Sequence, residues 1–114
     1  MNIRERMQTV LAAEAAAIAA VRVDDGFVRA VELMQACRGK IVTTGIGKAG
    51  HIAKKFAATL CSTATPADFL HPSEAAHGDL GLLSQDDVMV AFSTSGKSRE
   101  VVEVCELAKH MGVV

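Results

Sequence analysis

The apolar run VMVAF, Val88 to Phe92, passes without a break into STSGKSRE, Ser93 to Glu100. A buried strand running straight into a hydroxyl-rich turn at a helix start commits the chain to layers of strands and helices. The same junction prepares a place for an anion. Amide N–H groups of a first helical turn have no intrahelical acceptor, and serine hydroxyls beside them add donors without bulk. A phosphorylated small molecule is therefore the first ligand to consider.

The rest of the chain repeats this grammar. Lys40 to Thr44, KIVTT, reads as a short buried strand followed by the glycine turn GIGKAG, and from Gly50 through Phe56 to Leu60 the pattern becomes helical. STATP, Ser62 to Pro66, breaks that helix, and Ala67 to His71 is predicted to be a second strand that Pro72 stops. Pro72 to Gly78 allows one or two helical turns, with Glu74 and His77 three apart on one face. Asp86 and Asp87 precede the third strand, Val88 to Phe92. Ser98 to His110 then carries an apolar stripe of Val101, Val104, Cys105 and Ala108.

Upstream, the alanine-rich stretch from Ile3 to about Val21 is predicted to be a helix lying across a sheet or serving a subunit contact. A second helix runs from Asp25 or Gly26 to Cys37, with Gly39 as its closing residue. Gly112, Val113 and Val114 resemble the start of a fourth strand.

This order predicts an α/β fold, a parallel sheet between two helical layers, because helical crossovers return the chain to the same sheet edge. Ligands in such folds gather at the carboxyl ends of strands, where the strand order reverses. The loops Gly45–Gly50 and Ser93–Ser98 both follow strands directly and are expected to open on the same side. Three strands and a stub leave an apolar edge. Residues 1–114 accordingly read as the front part of one larger domain, truncated after the third crossover helix, or as a domain that another subunit completes.

Composition removes several functions. The chain has four Phe and no Trp or Tyr, so stacking on bases is poorly supplied, and a net charge of -1 without a basic cluster gives no footing for nucleic acid. No apolar run approaches the ~20 residues needed to span a bilayer. Cys37, Cys61 and Cys105 form no CxxC pair, and with no secretion segment they read as reduced thiols of a cytoplasmic protein, buried as small hydrophobes.

Gly45, Gly47 and Gly50 satisfy G-x-G-x-x-G between a strand and a helix, with Asp68 about twenty residues on. A dinucleotide site is one reading, and a tight strand-to-helix bend with no ligand is another. Asp68 falls inside ADFLH and not clearly at its carboxyl end, which weakens the first. Lys48 lies within the turn. A cation there gains nothing from the helix dipole unless an anion is bound.

HPSEAAHGD gathers His71, Glu74, His77 and Asp79, a set suited to proton transfer near neutral pH. The same set offers nitrogen and oxygen ligands for Zn²⁺, although no metalloprotease spacing is present. His77 is the catalytic or substrate-contact candidate; His71, before Pro72, reads as a residue that fixes the loop. Asp79 serves as readily to cap a turn. Glu100 is favourable in a first helical turn by itself, or it reaches back as a base. Ser93, Ser95 and Ser98 exceed what capping requires and read together as a phosphate loop.

From Thr43 to Val101, with GIGKAG, HPSEAAHGD and STSGKSRE in order, the chain resembles the sugar isomerase (SIS) domain of bacterial arabinose-5-phosphate isomerases. The resemblance implies a doubly wound, cytoplasmic homo-oligomer, a tetramer being one form. It implies interconversion of D-arabinose 5-phosphate and D-ribulose 5-phosphate through an enediol, supplying the precursor of Kdo in lipopolysaccharide, with no metal or cofactor. Lys48 falls on the family lysine, His77 on the histidine of the HGD segment and Glu100 on the acid after the phosphate loop, a loop to which the resemblance adds Thr94. Ala49 stands where serine is common, Thr94 where asparagine is familiar, and Asp68 in a strand usually apolar. A later family acid and histidine have no counterparts. A catalytically idle sugar-phosphate-binding module remains an alternative.

Overall fold

A computed structural model describes the backbone of all 114 residues and every side chain except that of Asp79. The chain divides into two compact units, Met1–Val31 and Glu32–Val114. In the first, α1 (Ile3–Ala19) starts on a capping box: Asn2 Oδ1 accepts the Glu5 N–H at 2.9 Å, and Glu5 Oε2 accepts the Asn2 N–H at 3.0 Å. None of its residues is buried. α2 (Asp25–Gln35) begins after Asp24, whose carboxylate accepts the Gly26 N–H; it ends before Cys37, where the sequence placed its last turn.

The second unit is built on three parallel strands, β1 (Ile41–Thr44), β2 (Ala67–Phe69) and β3 (Val88–Ala91), in the order β2-β1-β3. The helices are α3 (Gly47–Ser62), α4 (Pro72–Ala76) and α5 (Arg99–His110), with a 3-10 turn over Asp79–Leu82. β1 is central and buried along its whole length. Its alternate side chains serve two layers. Val42 joins Leu70, Ala75, Leu83, Val104, Ala108 and Val113 in a core shared with α4 and α5. Thr43 faces α3, where its hydroxyl donates to the Ala53 carbonyl at 2.7 Å.

The expected parallel α/β fold with helices on both sheet faces is thus present. Several boundaries differ from the expected ones. α3 begins at Gly47 instead of Gly50, since the turn is shorter than its glycines suggest, and β2 ends at Phe69, leaving Leu70 and His71 to lead into Pro72. At the far end, Met89 N–H donates to the Val114 carbonyl at 2.8 Å, one rung where a fourth strand was expected to start, without a strand over those residues.

A buried carboxylate ties the amino ends of β1 and β3 together. Asp87, 2 % exposed, accepts the Lys40 N–H at 2.9 Å, the Lys40 ammonium at 2.8 Å and the Ser84 N–H at 2.9 Å. Lys40 Nζ also donates to the Leu82 carbonyl at 2.7 Å. Burial alone would raise the carboxyl pKa, but these donors and the ammonium charge outweigh it and hold the group below its ordinary value. The cysteines correct one expectation. All three are free, yet Cys61 is exposed and the other two only half-buried, because Cys61 lies near the end of α3, where its thiol meets the Ala67 carbonyl at 3.1 Å.

Candidate functional site

The turns after β1 and β3 leave the sheet side by side. Thr44 pairs with Ala91 in parallel register, and the next residue, Phe92, donates its N–H to the Thr44 carbonyl at 2.9 Å. Gly45 and Ser93 therefore emerge from adjacent strands at the same edge. The strand order reverses between them, since the chain passes from β1 outward to β2 and then back across to β3.

Each turn has its own chemistry. After β1, a Cβ on Gly50 would stand 2.7 Å from the Gly45 carbonyl oxygen, so the first turn of α3 lies directly against the strand end. Gly47 has φ +62, a conformation L side chains rarely adopt, with no atom within 4 Å of where its Cβ would be. Ile46 occupies the N-cap and supplies no side-chain acceptor for the amides that follow. After β3, the Ser93 hydroxyl oxygen accepts the Gly96 N–H and the Ser95 oxygen accepts the Lys97 N–H, both at 3.0 Å. Ser93 and Ser98 hydroxyls share a bond at 3.2 Å. Ser98 is the N-cap of α5 without a side-chain cap bond, which leaves the first-turn amides of α5 without a side-chain partner from that residue.

Beside the glycine turn, a recess of about 130 Å³ is lined by Gly45, Gly47, Gly50, His51, Lys54, Phe69 and His71. A larger cleft of about 670 Å³ shares Lys54, Phe69 and His71 with it and adds Asp68 and Glu74. Lys54 Nζ sits 5.2 Å from the centre of the Phe69 ring, and that ring meets His71 edge-on with centroids 6.3 Å apart. His71 caps α4, its Nδ1 accepting the Ser73 N–H at 3.1 Å.

The SIS domain family model matches residues 34–113. The chain belongs to the SIS domain family. Among its relatives, the arabinose 5-phosphate isomerase KdsD of Pseudomonas aeruginosa is 50% identical over 92 residues, which are 81% of this chain and 28% of that protein. The arabinose 5-phosphate isomerase GutQ of Escherichia coli K12 is 56% identical over 80 residues, 70% of this chain and 25% of GutQ. The chain spans about a quarter of the length of these curated relatives.

Solved structures agree on the fold. A Bacteroides fragilis protein described as a phosphosugar isomerase involved in capsule formation superposes with TM-score 0.90 at 47% identity, over 96% of this chain and 59% of its own. An E. coli CFT073 protein, c3406, solved in complex with a ligand, does so with TM-score 0.87 at 37% identity, over 99% of this chain and 63% of its own. The resemblance read from Thr43 to Val101 therefore holds.

Within this SIS domain, the candidates for proton transfer do not converge through direct contacts. Lys48 in the first turn of α3, His77 at the C-cap of α4 and Glu100 in the first turn of α5 are exposed, and no hydrogen bond or ion pair joins any two of them. Thr94 is exposed in the serine turn. The expectation for Asp79 falls on a side chain outside the described ones. The Asp68 carboxylate is engaged by the Phe69 N–H at 2.9 Å. Among the described residues, no group of three His, Cys, Asp or Glu side chains is placed to hold a metal. No described helix is long and apolar enough to cross a membrane.

His51 and Lys54 escaped the sequence reading, which took His71 for a loop-fixing residue. That part is right, since His71 does cap α4, but it also lines both cavities. The available signal was spacing: His51 and Lys54 are three apart, on one face of the helix that starts at the glycine turn.

Proposed function

We propose that this chain carries the sugar-phosphate site of an arabinose 5-phosphate isomerase, interconverting D-arabinose 5-phosphate and D-ribulose 5-phosphate, in a cytoplasmic homo-oligomer. The observation that carries the reading is the adjacent exit of the glycine and serine turns at the β1/β3 switch point. Similarity to two arabinose 5-phosphate isomerases supports the choice of sugar.

In this reading the phosphate sits on the serine turn. Ser93, Thr94, Ser95 and Ser98 donate hydroxyl protons, and the first-turn amides of α5 face the anion. Gly96 and Lys97 amides already bond to the loop's own serine oxygens, so the loop is ordered before ligand arrives. A base, Glu100 or His77, takes the proton from C2 of the open-chain aldose. The C2–H electron pair forms the C1–C2 double bond while the carbonyl pair moves to O1, giving an enediolate; O1 then takes up the proton of the O2 hydroxyl, and return of the abstracted proton to C1 as C2=O2 forms yields the ketose. Lys48 steadies the oxygen on which charge develops.

The chain should be incubated with D-arabinose 5-phosphate in deuterated water and followed by NMR. Deuterium at C2 of recovered aldose and appearance of ribulose 5-phosphate are expected. Binding without either outcome would favour the second reading, an idle sugar-phosphate module, for which the exposed and unconnected Lys48, His77 and Glu100 speak.

Two substitutions probe the parts separately. Ser95→Ala should weaken arabinose 5-phosphate about tenfold, the loss of roughly one charge-assisted hydrogen bond, and leave unphosphorylated arabinose unaffected. Calorimetry with both sugars checks this, and equal losses for the two count against the loop. Lys48→Ala should slow the chemical step about tenfold with little change in affinity, because a cation stabilises the charged enediolate more than the neutral carbonyl. An unchanged turnover at saturating substrate would remove Lys48 from the mechanism.

A further inference from the structure

We infer that His51, Lys54 and His71, with the Phe69 ring, form the subsite that reads the carbonyl- and hydroxyl-bearing end of the sugar phosphate. The inference rests on the function proposed above and extends it to the other end of the substrate. Neither cavity at the end of β2 includes a residue of the serine turn. β1 lies between β2 and β3, so the two outer strand ends are separated by about 9.5 Å, two strand spacings. In open-chain arabinose 5-phosphate, seven bonds of roughly 1.5 Å each link the phosphorus to the far carbonyl oxygen. An extended zigzag of that length covers nearly the same distance. A phosphate held at the β3 end delivers its carbonyl end to the β2 end.

The chemistry waiting there suits a neutral polyol better than a second anion. Lys54 is held over an aromatic face and makes no ion pair among the described residues, so its ammonium retains donors for oxygen atoms. Because His71 Nδ1 accepts the Ser73 N–H, the proton of the neutral ring is on Nε2, and that N–H is a fixed donor. The recess of about 130 Å³ equals roughly four water volumes, room for a carbinol end but not for a whole sugar phosphate. Where it widens into the cleft of about 670 Å³, the carboxylates of Asp68 and Glu74 supply acceptors for hydroxyl protons and repel phosphate. Phe69 offers a flat apolar surface to the C–H groups of the sugar.

The full chain should be titrated with D-arabinose 5-phosphate and, separately, with inorganic phosphate, while the imidazole C–H resonances of its four histidines are observed. Signals of His51 and His71 should move with the sugar phosphate and stay in place with phosphate. Lys54→Met removes a charge from an exposed side chain. His71→Asn keeps an acceptor for the Ser73 N–H, since Asn is a strong N-cap, and removes the Nε2–H donor. Each should weaken arabinose 5-phosphate about tenfold, roughly the worth of one hydrogen bond to a buried ligand, with phosphate affinity unchanged; Ser95→Ala should weaken both. Equal losses for both ligands in Lys54→Met would place the phosphate in the recess and overturn the inference. So would wild-type affinity for arabinose 5-phosphate in both variants, and in that case a loss in Ser95→Ala would leave the functional reading standing. A chain that binds phosphate and arabinose 5-phosphate equally refutes the subsite, and one that binds neither refutes the functional reading as well.

Discussion

Replacing Asp87 by Ala should lower the unfolding free energy by about 3 kcal/mol, the low end for breaking a buried ion pair from one side. The low end applies because the Lys40 side chain keeps 29% exposure and water softens its loss. Asp87 itself is buried and accepts three hydrogen bonds, so its removal leaves two backbone N–H groups and an ammonium short of a partner together. Gly39 shows how tightly the carboxylate is enclosed, since a Cβ there would collide with Asp87 Oδ1. In urea, with slopes of ~1–3 kcal/mol per molar, the midpoint should fall by more than ~1 M. A midpoint within experimental error of wild type would mean that the strands do not need the clamp.

The same carboxylate gives stability a direction in pH. Its folded pKa lies below the ordinary value, so the unfolded chain takes up the proton first. The contribution is therefore complete above about pH 4 and is lost as pH falls through the lowered folded value. Asp87→Asn removes the titrating group, and its stability should decline less steeply than wild type on the acid side. Parallel acid limbs would assign acid unfolding to other carboxylates.

Gly50→Ala should destabilise the chain by about 2 kcal/mol, within the range for forcing extra carbon into a close-packed contact. The added methyl would stand 2.7 Å from the Gly45 oxygen and 3.1 Å from its carbonyl carbon. Both are backbone atoms with no rotamer to relieve the overlap, so the start of α3 must move away from β1. Because His51 follows directly and Lys54 one turn later, arabinose 5-phosphate binding should fall as well. Gly81→Ala is the control for stability, since nothing lies within 4 Å of its added carbon and its φ is not positive. Thermal unfolding of both variants by circular dichroism, and calorimetric titration of Gly50→Ala beside the wild type, check these outcomes. Wild-type stability in Gly50→Ala would show that the strand end yields more easily than this contact suggests.

The strands and the two long helices around the sheet were legible because their signals are local. Four consecutive buried residues in β1, the Val101–Val104–Ala108 stripe of α5 and the break at Pro66 are all written in neighbouring positions. The turns were legible for the same reason: Gly47 with its positive φ and Ser98 at an N-cap occupy places their chemistry predicts. Lys40 and Asp87 were not legible as a pair. They are 47 residues apart, and only the parallel register of Ile41 with Val88 brings their neighbouring backbones into reach.

The β2-end subsite follows the same rule. His51 and Lys54 look in the sequence like polar residues on a helix, and Phe69 like one more apolar strand position. What joins them is the crossover from β1 through α3 to β2, which lays the polar face of α3 over the end of β2. Sequence alone thus determined which segments are strands, where the glycine and serine turns fall and which family the motifs resemble, because those depend on backbone conformation and side chains a few residues apart. Tertiary structure decided the strand order, the partner of Asp87 and the wall facing the glycine turn, because those depend on which distant surfaces are brought together when the apolar faces of the sheet are covered.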